Sequence, residues 1–352
     1  MKVRISTRTP FGGARNILIR GTNWIGDAVM TLPAVRAIRN TFPAARISVL
    51  AKPWVAEIFN ICKDIDEVIV FKSPGVHSGI AGKLKLAKEL NARRFDAAIL
   101  LQNAIEAAII TRLAGIPIRC GYNSDARGLL LTHSVQRTED VRKVHQIQYY
   151  LEMVKSLGCL SAEAKVHLYP GNEYQILSEK IFSEYAIVRE RLIIGIAPGA
   201  TYGAAKRWFP ERFAAVSDML IEDFSAQVVL FGSHEDRQAT DLIEQFARHP
   251  LINLAGKTNL KEAIAVISGC TLFISNDSGL MHIAGALNIP TVAIFGSTNP
   301  VTTSPVGDRS IVIYKGAPCS PCLKETCPTD FRCMDMIGVE EVYRTAKGLL
   351  TQ

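Results

Sequence analysis

Hydrophobic and polar positions follow one recurring pattern along the chain. A short run of β-branched residues ends in a glycine or a small polar residue, and an amphipathic stretch with helical spacing follows. This alternation is typical of parallel β-α-β units. In the first half it predicts strands at 16–20, 46–50, 67–71 and 97–101, with helices at 34–42, 55–61 and 80–93.

The same pattern restarts in the second half of the chain. It predicts strands at 192–197, 227–231, 252–254, 271–275 and 291–295. A turn-rich break at 169–172 precedes a polar helix at 173–185, so the domain junction is expected near residue 171. We therefore predict an α/β fold with two Rossmann-like, doubly wound domains, 1–171 and 172–338, that face a central cleft. A last helix within 339–352 follows, and packing back on the first domain is one arrangement open to it.

Composition excludes several classes of protein. The chain has 352 residues, of which 48% are hydrophobic and 21% charged, which is typical of a folded globular protein. Its longest apolar runs fall far short of the roughly 20 residues that a membrane-spanning helix needs. The first 16 residues are basic but lack an apolar core and a cleavage site, so a signal peptide is not expected. We expect a cytoplasmic protein.

The net charge of +7 favours anionic partners without choosing among them. Nucleic acid is not expected as a partner, because no arginine-rich tract with interleaved aromatic residues occurs. In doubly wound sheets, ligands bind where loops leave the carboxyl ends of the strands. The chemistry should therefore lie in the segments that directly follow strands.

The first such segment is RGTNWIGD, residues 20–27. Its two glycines allow a tight turn and a close approach of the backbone to a ligand. Asp27 has two interpretations: it is either the N-cap of the next helix or a general base that takes a proton from an attacking hydroxyl. Pro33 either kinks that helix or marks its start.

The second segment is PGATYGAAKRW, residues 198–208. Its small residues leave room for a ligand, Thr201 offers a hydroxyl, and Lys206 with Arg207 supplies positive charge. The P-loop spacing is absent. The segment is either a cradle for a diphosphate or a solvated basic loop.

The third segment, residues 231–236, ends in Glu235 and Asp236. These carboxylates either accept hydrogen bonds from ribose hydroxyls or are acids that favour a helix start. The fourth segment, NDSGLMHIAG, residues 276–285, places the amides of Ser278 and Gly279 where a helix should begin, which suits an anion such as pyrophosphate. His282 either faces the ligand or is a buried core histidine.

A cysteine-rich loop precedes the last helix. Cys319, Cys322, Cys327 and Cys333 are close enough in sequence to close a tetrahedral zinc site, and thiolates are preferred zinc ligands. The usual pair of C-x-x-C knuckles is missing, so free thiols or disulfides formed on oxidation are the alternatives. The other cysteines lie in or near apolar segments and are expected in the core.

Taken together, residues 20–34, 198–208 and 276–285 resemble the heptosyltransferases of glycosyltransferase family 9. The resemblance spans both predicted domains. It implies the GT-B architecture and an inverting transfer of L-glycero-D-manno-heptose from ADP-heptose to the first heptose of the lipopolysaccharide inner core. It implies no metal in catalysis. Alternatives are a member of the family with another acceptor, and a binding protein that holds the nucleotide sugar without turnover.

The resemblance also assigns roles to single residues. Asp27 corresponds to the proposed base, and Lys206 to the lysine that engages the donor diphosphate. Asp277, Ser278 and Gly279 match the donor-site motif, with His282 following in the same motif; Thr201 and Glu235 correspond less directly. The implied partners are ADP-heptose and a lipid A-Kdo-heptose acceptor. Basic residues such as Arg119 and Arg127 could then hold the enzyme against the inner membrane, or be ordinary solvated charges.

Overall fold

The computed structural model describes residues 11–352 and divides into two compact units. One unit ends at Val166, and the other runs from His167 to Gln352. The boundary therefore falls shortly before the junction expected near residue 171. Each unit has its own parallel sheet and its own core, so each is described separately.

The first unit is built from alternating strands and helices. Its elements in chain order are β1 (Asn16–Arg20), α1 (Ile25–Thr41), β2 (Arg46–Ala51), α2 (Ala56–Asn60), β3 (Glu67–Val70), α3 (Gly79–Ala92), β4 (Ala97–Leu100), α4 (Ile105–Leu113), β5 (Ile118–Tyr122), β6 (His133–Val135), α5 (Glu139–Lys143) and α6 (Gln146–Ser156). The six strands are parallel and lie in the order β3-β2-β1-β4-β5-β6. The order reverses between β1 and β4, which is the point where doubly wound sheets bind ligands.

The second unit repeats this topology. Its elements are α7 (Asn172–Glu184), β7 (Ile193–Ala197), α8 (Pro210–Phe224), β8 (Gln227–Leu230), α9 (Arg237–Phe246), β9 (Ile252–Asn253), α10 (Leu260–Ile267), β10 (Leu272–Asn276), α11 (Gly279–Ala286), β11 (Thr291–Phe295), α12 (Pro300–Thr303), β12 (Ser310–Tyr314), α13 (Arg332–Asp335) and α14 (Val339–Leu350). The strands are again parallel, in the order β12-β11-β10-β7-β8-β9. The switch point of this sheet lies between β7 and β10.

Central strands of both sheets are apolar on both faces, because helices cover each side. In the first unit Leu18, Leu50 and Leu100 from adjacent strands meet in one cluster. In the second, Ile194 and Ile274 lie in a larger cluster that continues onto the covering helices. Burial of these apolar side chains stabilises each sheet. The polar residues of the four sequence segments lie outside these cores, at the carboxyl ends of the strands.

The last helix belongs to the second unit. Val342, Ala346 and Leu349 of α14 are buried in the same core as the strands of the second sheet. Their spacing of three and four residues puts one apolar stripe on that core. The apolar face of this helix is therefore used within the core of the second unit.

Helix α1 begins earlier than the sequence pattern indicates. It starts at Ile25, so Pro33 lies inside the helix and does not mark its start. A proline inside a helix removes one backbone donor and its ring crowds the carbonyl four residues earlier, so it is expected to bend the helix. The nearby Thr31 hydroxyl donates to the Ala28 carbonyl at 2.7 Å. The early start brings Asp27 into the first helical turn.

Candidate functional site

Asp27 lies beside the switch point of the first sheet. It follows β1 by one short loop and is half-buried in the first turn of α1. The N-cap of α1 is Trp24, so the interpretation of Asp27 as the N-cap is wrong. A carboxylate in this turn is favoured by the positive end of the helix. Burial raises the pKa of Tyr150 on α6 well above its usual value, and the negative charge of nearby Asp27 raises it further.

Two buried cations lie under this loop. The Arg20 guanidinium donates to the carbonyls of Gly21 and Leu50 and, at 2.8 Å, to Oδ1 of Asn23. The Nζ of Lys52 donates to the Ser73 carbonyl at 2.9 Å. Burial lowers the pKa of Arg20 to about 10 and also lowers that of Lys52. The first unit therefore holds positive charge and a carboxylate at the same edge of its sheet.

In the second unit, Asn276 joins the two strands of the switch point. It is fully buried at the end of β10, and its Nδ2 donates to the Pro198 carbonyl at 2.7 Å. Its Oδ1 accepts from the Trp208 amide at 3.1 Å. Because β7 and β10 are neighbours, this one side chain fixes both ends of segment 198–208 against β10.

Lys206 and Asp277 form a largely buried ion pair. Nζ of Lys206 lies 2.6 Å from Oδ2 of Asp277, and the Thr298 hydroxyl donates to the same oxygen at 2.7 Å. Lys206 thus lies directly beside the start of α11. Thr298 follows β11 and was not singled out in the sequence, because only the strand order brings its loop next to Asp277.

Helix α11 begins as the sequence predicts. Ser278 is its N-cap, with its hydroxyl accepting from the Met281 amide, and Gly279 is its first residue. The first amides of a helix make a positive end that suits an anion. His282, one turn later, is buried, which fits its interpretation as a core histidine better than as a residue open to a ligand.

The two carboxylates of the third segment, Glu235 and Asp236, differ in burial. Asp236 is buried, and its Oδ2 accepts from the amide and hydroxyl of Ser233 at 2.9 and 2.8 Å, forming a capping box. Glu235 is exposed, and the Ser233 hydroxyl lowers its pKa. Gly199 lies so close to Asp236 that a Cβ there would collide with the carboxylate. Asp236 is therefore the helix-start acid, while Glu235 remains open to solvent.

The cysteine-rich loop supports segment 198–208. Tyr202 donates its hydroxyl to the Leu323 carbonyl at 2.8 Å, and the Glu325 carbonyl accepts from the Ala205 amide at 3.0 Å. A Cβ on Gly203 would collide with that same carbonyl. Thr201, next to Tyr202, is exposed. The loop therefore positions the turn that carries Lys206.

The four cysteines of this loop lie near one another but differ in exposure: burial raises the pKa of Cys333, and the charges of Cys319, Cys327 and Cys322 raise it further. Cys319 is exposed, Cys322 and Cys327 are half-buried, and Cys333 is buried. Within residues 11–352, no group of three or more His, Cys, Asp or Glu side chains is arranged to hold a metal ion. Zinc binding by these thiols stays a prediction.

Two of the buried hydroxyls without a hydrogen-bond partner in residues 11–352 lie next to the candidate sites. Oγ1 of Thr22, in the loop before α1, has no hydrogen-bond partner within the described part of the chain. The same holds, over those residues, for Oγ of Ser297, the neighbour of Thr298. A buried hydroxyl without a partner is costly. Thr22 therefore offers unused hydrogen-bonding capacity beside the switch point of the first sheet, and Ser297 offers it in the loop after β11 that contacts Asp277.

Known proteins share this fold. The structure of the ADP-heptose lipopolysaccharide heptosyltransferase II of Escherichia coli matches with a TM-score of 0.80 and 29% identity, covering 96% of this chain and 99% of that one. Together with two doubly wound sheets of the same strand order, this defines a GT-B glycosyltransferase, as expected from the sequence.

Sequence comparison gives the family. The model of glycosyltransferase family 9 (heptosyltransferase) matches residues 83–331. The lipooligosaccharide heptosyltransferase 2 of Haemophilus influenzae is 33% identical over 309 residues, 85% of this chain and 88% of that protein. The lipopolysaccharide heptosyltransferase 2 of E. coli is 32% identical over 309 residues, 84% and 87% respectively. The chain belongs to glycosyltransferase family 9, the heptosyltransferases.

Proposed function

We propose that this enzyme transfers L-glycero-D-manno-heptose from ADP-heptose to the first heptose of the lipopolysaccharide inner core, with inversion at the anomeric carbon. Relatives called heptosyltransferase 2 match most of the chain, which supports this acceptor over that of other family members. The observation that carries the proposal is the position of Lys206 beside Asp277 at the start of α11.

The second unit supplies what a departing diphosphate needs. As the bond from the sugar to the diphosphate breaks, negative charge develops on the ADP. The Lys206 ammonium and the first amides of α11 place positive charge and hydrogen-bond donors together at one switch point. Such groups stabilise the leaving group without rearranging during the reaction. We propose on this ground that transfer requires no metal ion, which EDTA treatment tests: the rate should be unchanged.

The first unit supplies the base. Asp27 is half-buried in the first turn of α1 and carries a carboxylate next to a loop with an unused hydroxyl at Thr22. In an inverting transfer the acceptor hydroxyl attacks the anomeric carbon from the face opposite the leaving group, and a base takes its proton. We assign that step to Asp27.

The proposed acceptor, lipid A-Kdo-heptose, lies in a membrane, so the enzyme should contact the cytoplasmic face of the inner membrane peripherally. No helix within residues 11–352 is long and apolar enough to cross a bilayer. Of the basic residues considered for membrane contact, Arg127 is excluded, because it is buried and donates to the backbone at Tyr122. Exposed apolar residues support the contact instead.

These residues form a strip on two adjacent helices, α3 and α4. Ile105, Ile109 and Leu113 follow a spacing of four and lie on one face of α4, and Ile80 and Leu84 do the same on α3. The Lys83–Glu106 ion pair of 2.7 Å joins the two helices. We call these five residues the α3–α4 strip. Lysines beside it, such as Lys85 and Lys88, are exposed and suit anionic lipid head groups.

An acceptor panel tests the proposed reaction. Purified full-length protein should transfer heptose from ADP-heptose to a monoheptosylated Kdo acceptor and not to a heptose-free one, measured as product by mass spectrometry. Transfer to the heptose-free acceptor alone would mean that the acceptor assignment is wrong. Tight ADP-heptose binding without transfer to either acceptor would favour the binding protein. Asp27→Asn serves as the control for background hydrolysis.

A further inference from the structure

Two of the three tryptophans of this chain are exposed. Trp208 is only 1% exposed, as expected for a large apolar side chain, whereas Trp24 is 58% and Trp54 44% exposed. Single exposed apolar residues are common on protein surfaces and need no explanation. Here, however, both exposed indoles belong to one small region of the first unit.

A hydrogen bond holds the two tryptophans in the same region. Nε1 of Trp54 donates to the carbonyl of Asn23 at 2.8 Å, and Asn23 directly precedes Trp24. This follows from the sheet, because β1 and β2 are neighbours and both loops start at the same carboxyl edge. The bond orients the Trp54 ring with its polar edge satisfied, which leaves its faces for apolar contact.

The same region contains the groups that the reaction needs. Trp24 is the N-cap of α1, and Asp27 lies in the first turn of that helix. Thr22, two residues before Trp24, has the buried hydroxyl without a partner among the described residues. The Lys52 ammonium lies 5.8 Å from the centre of the Trp54 ring. Aromatic faces, a carboxylate, a hydroxyl and a cation are thus gathered at one edge.

Each of these groups matches one part of a sugar. The axial C–H bonds of a pyranose ring form a weakly polar face that packs on an indole, while its hydroxyls point outward and seek hydrogen bonds. An indole costs little conformational entropy when it binds, because it has only two rotatable bonds. A cation nearby suits a carboxylate or phosphate on an adjoining sugar.

We infer that Trp24 and Trp54 form an aromatic platform that binds a pyranose ring of the acceptor, the ring whose hydroxyl Asp27 deprotonates. The inference rests on the proposed function, since it takes the first unit as the acceptor unit. The platform is a binding surface: it holds the sugar and leaves the proton transfer to Asp27. Its loss should therefore raise the KM for the acceptor and leave the KM for the donor unchanged.

Kinetics with a soluble, delipidated heptose-Kdo fragment test this. Trp54→Ala should raise the acceptor KM about tenfold, in line with the strength of an aromatic contact plus its buried area, with the donor KM within about twofold of wild type. Trp54→Phe keeps an aromatic ring but loses the hydrogen bond to Asn23, so its acceptor KM should lie between those of wild type and Trp54→Ala. Phe246→Ala, an exposed aromatic on α9 of the second unit, is the matched control and should change neither KM.

Tryptophan fluorescence tests binding without turnover. With the fragment alone, Trp24→Phe retains Trp54 and the buried Trp208, and Trp54→Phe retains Trp24 and Trp208. Each single variant should show a shift of emission to shorter wavelength at saturation. The double variant reports only buried Trp208 and should show no shift. Two results would overturn the platform, provided that the wild type transfers heptose. One is an acceptor KM in Trp54→Ala that equals that of wild type, and the other is the absence of an emission shift in both single variants. A shift in the single variants without transfer by wild type would instead support the platform and refute the proposed function.

Discussion

The Nζ of Lys206 lies 2.6 Å from Oδ2 of Asp277, at the start of α11. Both side chains are largely shielded from solvent, and Thr298 donates to the same carboxylate oxygen. A pair of this kind keeps its ammonium in one place, in contrast to a surface lysine. The arrangement therefore prepares a charged donor where the proposed diphosphate leaves.

Lys206→Ala should weaken ADP binding roughly 10- to 100-fold, because a hydrogen bond to a charged group is worth about 1.5–3 kcal/mol. Isothermal titration with ADP measures this directly. Lys315→Ala removes a lysine of similar geometry, 2.7 Å from Glu341 but exposed, and should leave ADP affinity unchanged. Equal affinity of Lys206→Ala and wild type would show that this lysine does not bind the donor.

Asp27→Asn should lower kcat by about 10²- to 10⁴-fold, since an amide cannot take the proton of the acceptor hydroxyl. The dissociation constant for ADP-heptose should stay within about twofold, because the change lies in the other unit. The control is Asp64→Asn, a carboxylate of the first unit paired with Arg36 at 3.4 Å, which should retain wild-type kcat. A kcat for Asp27→Asn close to wild type would remove Asp27 from the chemistry.

Gly203→Ala should reduce both stability and ADP affinity. The added Cβ would collide with the Glu325 carbonyl, and overpacking of this kind costs about 1–3 kcal/mol. Gly348→Ala is the matched control: it lies in α14 with no heavy atom within 4 Å of the added Cβ, and should stabilise by about 0.5–1 kcal/mol. Urea unfolding measures both changes. If Gly203→Ala were neutral, the cysteine-rich loop would not support the Lys206 turn.

Thiol reactivity should differ sharply between cysteines. Although burial opposes it, hydrogen bonds from Thr329 and the Phe331 amide lower the pKa of Cys327, whereas burial raises the pKa of Cys270. A lowered pKa gives more thiolate below the ordinary value near 9, so Cys327 should be alkylated by iodoacetamide faster at neutral pH and reach its maximal rate at lower pH. Mass spectrometry of labelled peptides compares the two sites.

The same loop tests the zinc prediction. Protein purified without added metal should contain one zinc per chain by elemental analysis if Cys319, Cys322, Cys327 and Cys333 turn toward a common point, and zinc should then block the alkylation of Cys327. Cys62→Ser, outside the loop, should not change the zinc content. Metal-free protein with freely reactive Cys327 would contradict the zinc prediction.

The α3–α4 strip should bind anionic membranes. The double variant Ile80→Ser with Ile109→Ser removes two apolar contacts of the strip. It should lower the partition coefficient for vesicles of phosphatidylcholine and about 30% phosphatidylglycerol, measured by sedimentation, about tenfold or more. The double variant Ile176→Ser with Val301→Ser, two exposed apolar residues of the second unit, is the control. Binding that persists in the strip variant would place membrane contact elsewhere.

Local pattern accounts for much of the fold. The bounds of β1 and β11 coincide with the predicted segments, and α14 lies within its predicted range, because an apolar run between turn residues, or a single apolar stripe, leaves few alternatives. Strand β5 was missed, since Ile118–Tyr122 contains an arginine and a glycine instead of a β-branched run. Strand β12, Ser310–Tyr314, has such a run and could have been predicted.

The candidate site was only partly predictable, for a different reason. Lys206, Asp277 and Ser278 follow strands and carry recognisable chemistry, so sequence position was enough. Thr298 contacts Asp277 only because β11 lies beside β10, and strand order is not written in local sequence. Similarly, Asp236 and Glu235 are adjacent and chemically alike, and the capping box with Ser233 decides which one is buried.

Asn276 sets a limit on how this scaffold can be redesigned. Its oxygen and its nitrogen each serve a different backbone partner, Trp208 and Pro198, and neither aspartate nor leucine of similar size offers both an acceptor and a donor. A library aimed at another nucleotide should therefore hold Asn276 constant and vary exposed positions such as Thr201 and Glu235. Substitutions at Thr201 and Glu235 leave these hydrogen bonds intact. Substitutions at Asn276 would release segment 198–208 from β10.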